Sequence, residues 1–202
     1  MKKLVLCSLV LVAVSTNCFS QATPANQSFG HKLMSKFEFG IKAGGNYSDF
    51  TNANFSTDPL PGFNAGLTVA YKITNNFLVQ EEFLYSLQGA KAKTGTFAGQ
   101  DIKLSYAAIP ILLKYRTNSG FFVEAGGQAG FKVKEDIGGI TDAKFARKVD
   151  YGAVCGVGFK SKMGLGIEAR YFYGVQKVSE TPSAELGDSK NNSIQAGIIY
   201  VF

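Results

Sequence analysis

Eight stretches of strict period-2 alternation, with bulky rings on one face and glycines on the other, constrain this chain more than any other feature. They fall at about 37–48, 62–73, 77–89, 102–116, 121–133, 149–160, 164–175 and 192–202. Alternation of this kind is the signature of strands with one face unlike the other. The connections alternate too. Short turn-forming sequences lie at 74–76, 117–120 and 161–163, and long ones rich in Gly, Asn, Asp, Ser and Thr at 49–61, 90–101, 134–148 and 176–191. Short turns on one rim and long loops on the other predict an all-β fold, an eight-stranded antiparallel up-and-down transmembrane β-barrel with short periplasmic turns and long extracellular loops.

Alternation does not itself say which face points inward. A soluble barrel hides its apolar face, whereas a membrane barrel displays it. Volume decides the matter. One face carries Phe37, Phe39, Tyr47, Phe63, Tyr71, Phe77, Phe83, Tyr85, Tyr115, Phe121, Phe131, Tyr151, Phe159, Tyr171, Tyr173, Tyr200 and Phe202; the other carries Gly40, Gly44, Gly66, Gly126, Gly130, Gly152, Gly156, Gly158, Gly166, Gly174 and Gly197. An eight-stranded barrel is only just wide enough inside to be filled by side chains. The glycine face is therefore read as the lumen, with room for little beyond hydrogen atoms and slim charged stems, and the ring face as the lipid surface. The rings also gather near the two ends of the strands, as expected of aromatic girdles at the headgroups.

The lumen-facing parity collects Glu38, Lys42, Lys72, Glu82, Lys114, Glu124, Lys132, Asp150, Lys160, Glu168 and Arg170. Buried charges without partners are expensive, so these are expected to form a salt-bridged plug. Glu82, Lys114, Glu124, Glu168 and Arg170 are its expected centre, in a structural role. Glu81 falls on the lipid face near the short-turn rim. The fourth strand contains Pro110, which cannot donate to a ladder and marks a bulge or a local break in pairing.

Upstream of the barrel, residues 1–22 read as an export signal. Lys2 and Lys3 precede an apolar run from Leu4 to Val14 that is too short to span a bilayer, and cleavage fits after Ser20 or Ala22. Asn17 and Ser15 before Cys18 fit a lipid-attachment site poorly. Residues 23–36 are polar and aperiodic, a linker before the barrel domain at 37–202. Cys155 sits in an apolar stripe and reads as a small hydrophobe. Without Lys2 and Lys3 the formal charge of +6 becomes +4, that is 19 basic against 15 acidic residues, with no basic run, so nucleic acid is not an expected partner. Mean hydropathy of +0.04 excludes a bundle of membrane-spanning helices.

Chemistry finds little footing. The single histidine, His31, lies in the linker, which leaves Ser–His hydrolysis and His-ligated zinc unsupported. Asp49, Asn52, Asn54 and Asp58 make the first long loop oxygen-rich, but their spacing matches no known cation loop. No catalytic residue, cofactor or metal is expected. The outer-membrane lipid is the expected environment, and the expected function is non-enzymatic, in envelope structure or recognition. A lipid-modifying barrel enzyme and a soluble ligand-binding barrel are the weaker alternatives.

Three stretches resemble one family. Phe39-Gly40-Ile41-Lys42-Ala43-Gly44-Gly45-Asn46-Tyr47-Ser48 resembles the first strand of PorT-like outer-membrane β-barrel proteins of Bacteroidetes. Gln80-Glu81-Glu82-Phe83-Leu84-Tyr85-Ser86 resembles their third strand, and Ala108-Ile109-Pro110-Ile111-Leu112-Leu113-Lys114-Tyr115 their fourth. Two departures stand out: Glu81 where the family often has Pro, and Ala108 where it often has an inward Glu. The resemblance implies an outer-membrane location and, through the name-giving member, a part in type IX secretion and gliding. The last strand, with Tyr200 and terminal Phe202, also looks like the signal read by the barrel-insertion machinery.

Overall fold

The computed structural model describes residues 33–52, 56–94, 98–138, 140–141, 146–178 and 189–202. The leader, Cys7, Cys18, His31 and Asn54 lie outside the described residues. The chain divides into a unit ending at Phe37 and a unit spanning Glu38–Phe202. Of the first, Leu33 and Met34 begin a single helical turn, closed by the Lys36 N–H donating to the Leu33 carbonyl at 3.1 Å.

The second unit is a closed antiparallel barrel. Its strands are β1 (Phe37–Thr51), β2 (Thr57–Lys72), β3 (Phe77–Ala92), β4 (Asp101–Arg116), β5 (Phe121–Ile137), β6 (Ile140–Thr141), β7 (Val149–Lys160), β8 (Leu165–Lys177) and β9 (Lys190–Val201). β6 is a two-residue partner of the end of β5, which leaves eight long strands in the wall. They run in the order β4-β3-β2-β1-β9-β8-β7-β5, and β4 pairs with β5 to close the cylinder. Neighbours in the chain are neighbours in the wall, so the meander needs no crossover.

Two of the short turns share one design. The Gly120 N–H donates to the Thr117 carbonyl and the Gly164 N–H to the Ser161 carbonyl, at 3.0 and 3.1 Å. Each glycine has a left-handed φ, 101° and 88°, which ordinary side chains adopt only with strain. Asn76 Nδ2 donates to the Arg116 carbonyl at 2.7 Å and stitches the first short turn to the end of β4.

The rings face outward. Phe83 and Tyr171 are 39% and 41% exposed, while Gly156 faces the Arg170 and Glu124 side chains inside. The girdle at the short-turn end is built of cross-strand pairs, Phe77–Tyr115 at 5.0 Å and Phe121–Phe159 at 5.1 Å between centroids. Phe63–Tyr85 forms a pair at the other end. Such tilted and edge-on pairs match the quadrupole preference of aromatic rings.

The structure corrects the sequence reading in two places. First, the lumen holds more than slim stems, since Phe50, Phe122 and Phe172 are buried within it alongside Tyr106. Glycines on neighbouring strands make the room. A Cβ on Gly158 would stand 2.3 Å from Phe122 Cζ, one on Gly152 would stand 2.7 Å from Phe172 Cε2, and one on Gly130 would stand 3.3 Å from Tyr106 Cδ1. Second, the long connections are shorter than their composition suggests. β1 runs on to Thr51, β2 starts at Thr57, β3 reaches Ala92 and β5 reaches Ile137. At Pro110 the pairing of β4 with β3 breaks locally, between Glu81/Ile111 and Leu84/Ala108, as one of the two sequence alternatives has it, and the register is unchanged across the break. The irregularity of β4 lies at Ser105/Tyr106 against β5, and β2 shifts register at Pro59/Asn64.

The strands extend because their hydrophobic phase inverts. Between the girdles, apolar residues point out. Beyond them, at the long-loop end, Ala90, Ala92, Ile102, Leu104, Tyr106 and Ile137 point in and pack with Phe50, Ala146 and Val178. Lys91, Lys103 and Lys134 point out. This upper segment has the pattern of a water-soluble barrel placed on top of a membrane one.

Candidate functional site

The lumen is layered. In its middle, Arg170 of β8 forms a two-pronged hydrogen bond with Glu82 of β3, with Nη1 and Nη2 each 2.6 Å from a carboxylate oxygen. Arg170 Nε also bonds Glu124 of β5, and lies 3.1 Å from Glu168 of its own strand. Lys114 of β4 meets Glu124 at 3.0 Å and donates to Gln80 Oε1 at 2.7 Å, and Gln80 in turn donates to Glu82 at 2.5 Å. Lys42 of β1 pairs with Glu168 and lies 3.5 Å from Glu82. Lys114 further rests over the Phe122 ring at 4.1 Å.

Glu82, Lys114, Glu124, Glu168 and Arg170 thus meet in one cluster. The sequence reading left out two members of that centre, Lys42 and Gln80. Lys42 shares the inward parity and was available as one of several inward charges; Gln80 carries no charge and gave no signal. With Lys42 included, the charges cancel: Lys42, Lys114 and Arg170 against Glu82, Glu124 and Glu168. All six are buried. Ion-paired throughout, hydrogen-bonded in part and balanced in charge, such a group tolerates a site from which one lost partner would leave an isolated charge. Small neighbours give it space, since a Cβ on Gly156 would stand 2.8 Å from Arg170 Cγ.

Towards the long-loop end the lumen turns mainly to amides and hydroxyls, with Asp150 among them. Asn191 donates to Gln88 at 2.5 Å and to Asp150 at 3.3 Å, and Gln88 donates to Ser86 at 2.9 Å. Above it sits the apolar cluster already described. Ala146, a member of that cluster, is anchored to β5: its N–H donates to Glu135 at 2.9 Å, Lys132 donates to its carbonyl at 2.5 Å, and Lys132 pairs with Glu135.

At the short-turn end, Arg116 grips Glu38 through Nη1 and Nη2 at 2.8 and 2.7 Å, and Lys72 reaches the same carboxylate at 3.0 Å. Lys160 of β7 faces this mouth as well.

The remaining sequence candidates do not converge. Asp49 accepts from the Phe50 N–H, while Asp58 pairs with Lys93 at 2.7 Å, so the oxygen-rich first connection forms no common site. Among the described residues no three His, Cys, Asp or Glu side chains are grouped to hold a metal. Tyr200 and Phe202 are exposed on the outer wall with ring centroids 5.5 Å apart, and the Phe202 N–H donates to the Phe39 carbonyl. Cys155 is exposed on the outer face.

Comparison with known proteins agrees with this geometry. The sequence model of a family described as "Outer membrane protein beta-barrel domain" matches residues 19–180. Neisserial surface protein A superposes with a TM-score of 0.52 at 19% identity, over 83% of this chain and 97% of that one. Ail, the attachment invasion locus protein of Yersinia pestis, superposes with a TM-score of 0.50 at 19% identity, over 83% and 99%. At such identity the likeness is one of fold. No curated protein matches the chain.

Proposed function

The chain belongs to the outer membrane protein β-barrel domain family, and from that membership we propose a non-enzymatic barrel with a closed lumen that presents its long-loop end for envelope structure or recognition. The observation that carries this reading is the layered lumen. A neutral ion-pair core, a polar amide layer and an apolar cap follow one another between the two mouths. This stack of buried side chains, taken among the described residues, supports a filled lumen, unlike the wide barrels that serve as pores. Among the described residues, three carboxylates toward the long-loop end are engaged with cations, Asp58 with Lys93, Asp101 with Lys103 and Glu135 with Lys132, which supports the non-enzymatic reading. Planar-bilayer recording of the purified protein tests the reading. Silent insertion is expected, and a stable open-channel current would overturn it.

A second reading, a component of a type IX secretion or gliding apparatus, is supported by the PorT-like stretches in β1, β3 and β4. Cross-linking in intact envelopes followed by affinity capture tests it. Recovery of secretion-apparatus subunits is the expected result on this reading, and recovery of the barrel alone would remove it.

A further inference from the structure

The charge at the short-turn mouth does not cancel. Lys72, Arg116 and Lys160 surround a single carboxylate, Glu38. Both oxygens of Glu38 are already taken, by the two Arg116 prongs and by Lys72. Lys160 lies close enough to interact with Glu38, Arg116, Lys72 and Lys114, three of them cations like itself, and among the described residues its own amine forms no ion pair. The central cluster cannot absorb the surplus, because its six charges are matched among themselves and buried. Nor do the short turns help. Residues 73–76, 117–120 and 161–164 contain no acid, and the last adds Lys162.

The mouth therefore presents a partly exposed ring of cations from β2, β4 and β7 around one carboxylate from β1. Lysine amines act as point charges for compact multivalent oxyanions, and a guanidinium held in place by a carboxylate keeps its remaining N–H donors oriented. We propose that the short-turn mouth is a binding site for a phosphate-bearing anion, with Lys160 and Lys72 as its principal ligands and Arg116 positioned by Glu38. A soluble phosphate compound and the headgroup of an inner-leaflet phospholipid offer this same chemistry.

The test uses the protein purified from membranes and inserted into nanodiscs of phosphatidylcholine, titrated with inorganic pyrophosphate by calorimetry. Saturable binding is expected. Lys160→Gln should raise the Kd about tenfold, as expected for losing one charge-assisted contact. Glu38→Gln should tighten binding, because it removes the competing anion, and Lys103→Gln at the opposite rim should leave it unchanged. Repeating the titration in discs containing phosphatidylglycerol separates the two sources. Competition identifies a lipid headgroup, and undiminished binding identifies a soluble anion. Absence of saturable binding, or wild-type affinity in both Lys160→Gln and Lys72→Gln, would overturn the proposal.

Discussion

Arg170 shows how much one residue can depend on its neighbours. Its guanidinium touches three carboxylates from two other strands and its own, and its stem occupies the space that Gly156 leaves free. Removing one carboxylate breaks the balance. Glu168→Gln deletes the partner that Lys42 and Arg170 share and leaves one uncompensated buried charge, a class of loss that costs about 3–5 kcal/mol. Its unfolding midpoint in detergent should fall well below that of the parent. Asp101→Asn, where the ion pair is exposed, should change stability by less than about 1 kcal/mol. An unchanged midpoint in Glu168→Gln would mean that the cluster carries no such burden. At this scale, parity was enough to read the inward position of the charges from sequence. What parity lacks is height and azimuth. Nothing in the alternation says that Lys42 reaches the cluster while Lys160 stays at the mouth, or that Phe122 and Phe172 fill space vacated by glycines on the adjacent strand. These depend on strand tilt and stagger, which place residues distant in sequence at one level.

Strands are read from a hydrophobic phase, and here the phase changes partway along. In β3, Phe77, Val79, Phe83 and Tyr85 point out, then Ala90 and Ala92 point in. In β4, Ile102, Leu104 and Tyr106 point in before Ile109, Ile111 and Leu113 turn to the outer face. A reader tracking one phase meets polar outward residues such as Lys91 and assigns loop to 90–101, where the backbone at its two ends remains paired, Ala90 with Ile102 and Lys91 with Asp101. The physical cause is the change of solvent from hydrocarbon to water at the girdle. The anchoring of Ala146 depends on this extension, because Glu135 lies in the inverted part of β5 and accepts the Ala146 N–H. Glu135→Ala should therefore speed amide exchange at Ala146 severalfold or more while leaving exchange in the middle of β7 unaltered, as read by hydrogen-exchange spectroscopy. Equal protection at Ala146 in both proteins would show that Ala146 is held by other contacts.

For the barrel as a whole, the decisive property is which surface meets hydrocarbon. Cys155 provides a natural reporter, since it lies on the outer wall midway along β7 between Tyr151 and Phe159. A fluorophore attached there, in a chain with Cys7 and Cys18 replaced by serine, should be quenched most by lipids brominated near the middle of their acyl chains. Quenching by aqueous iodide instead would place this face in water and invert the whole assignment. The length of the strands carries a further consequence. Sixteen residues in β3, at about 3.4 Å each and tilted by about 40°, rise roughly 40 Å, against an apolar band of about 25 Å. The excess stands on the long-loop side, a rigid pedestal of roughly 15 Å. A macromolecule approaching from outside would meet the summit of this pedestal before it touched the surrounding headgroups, so docking there need not disturb the bilayer at all.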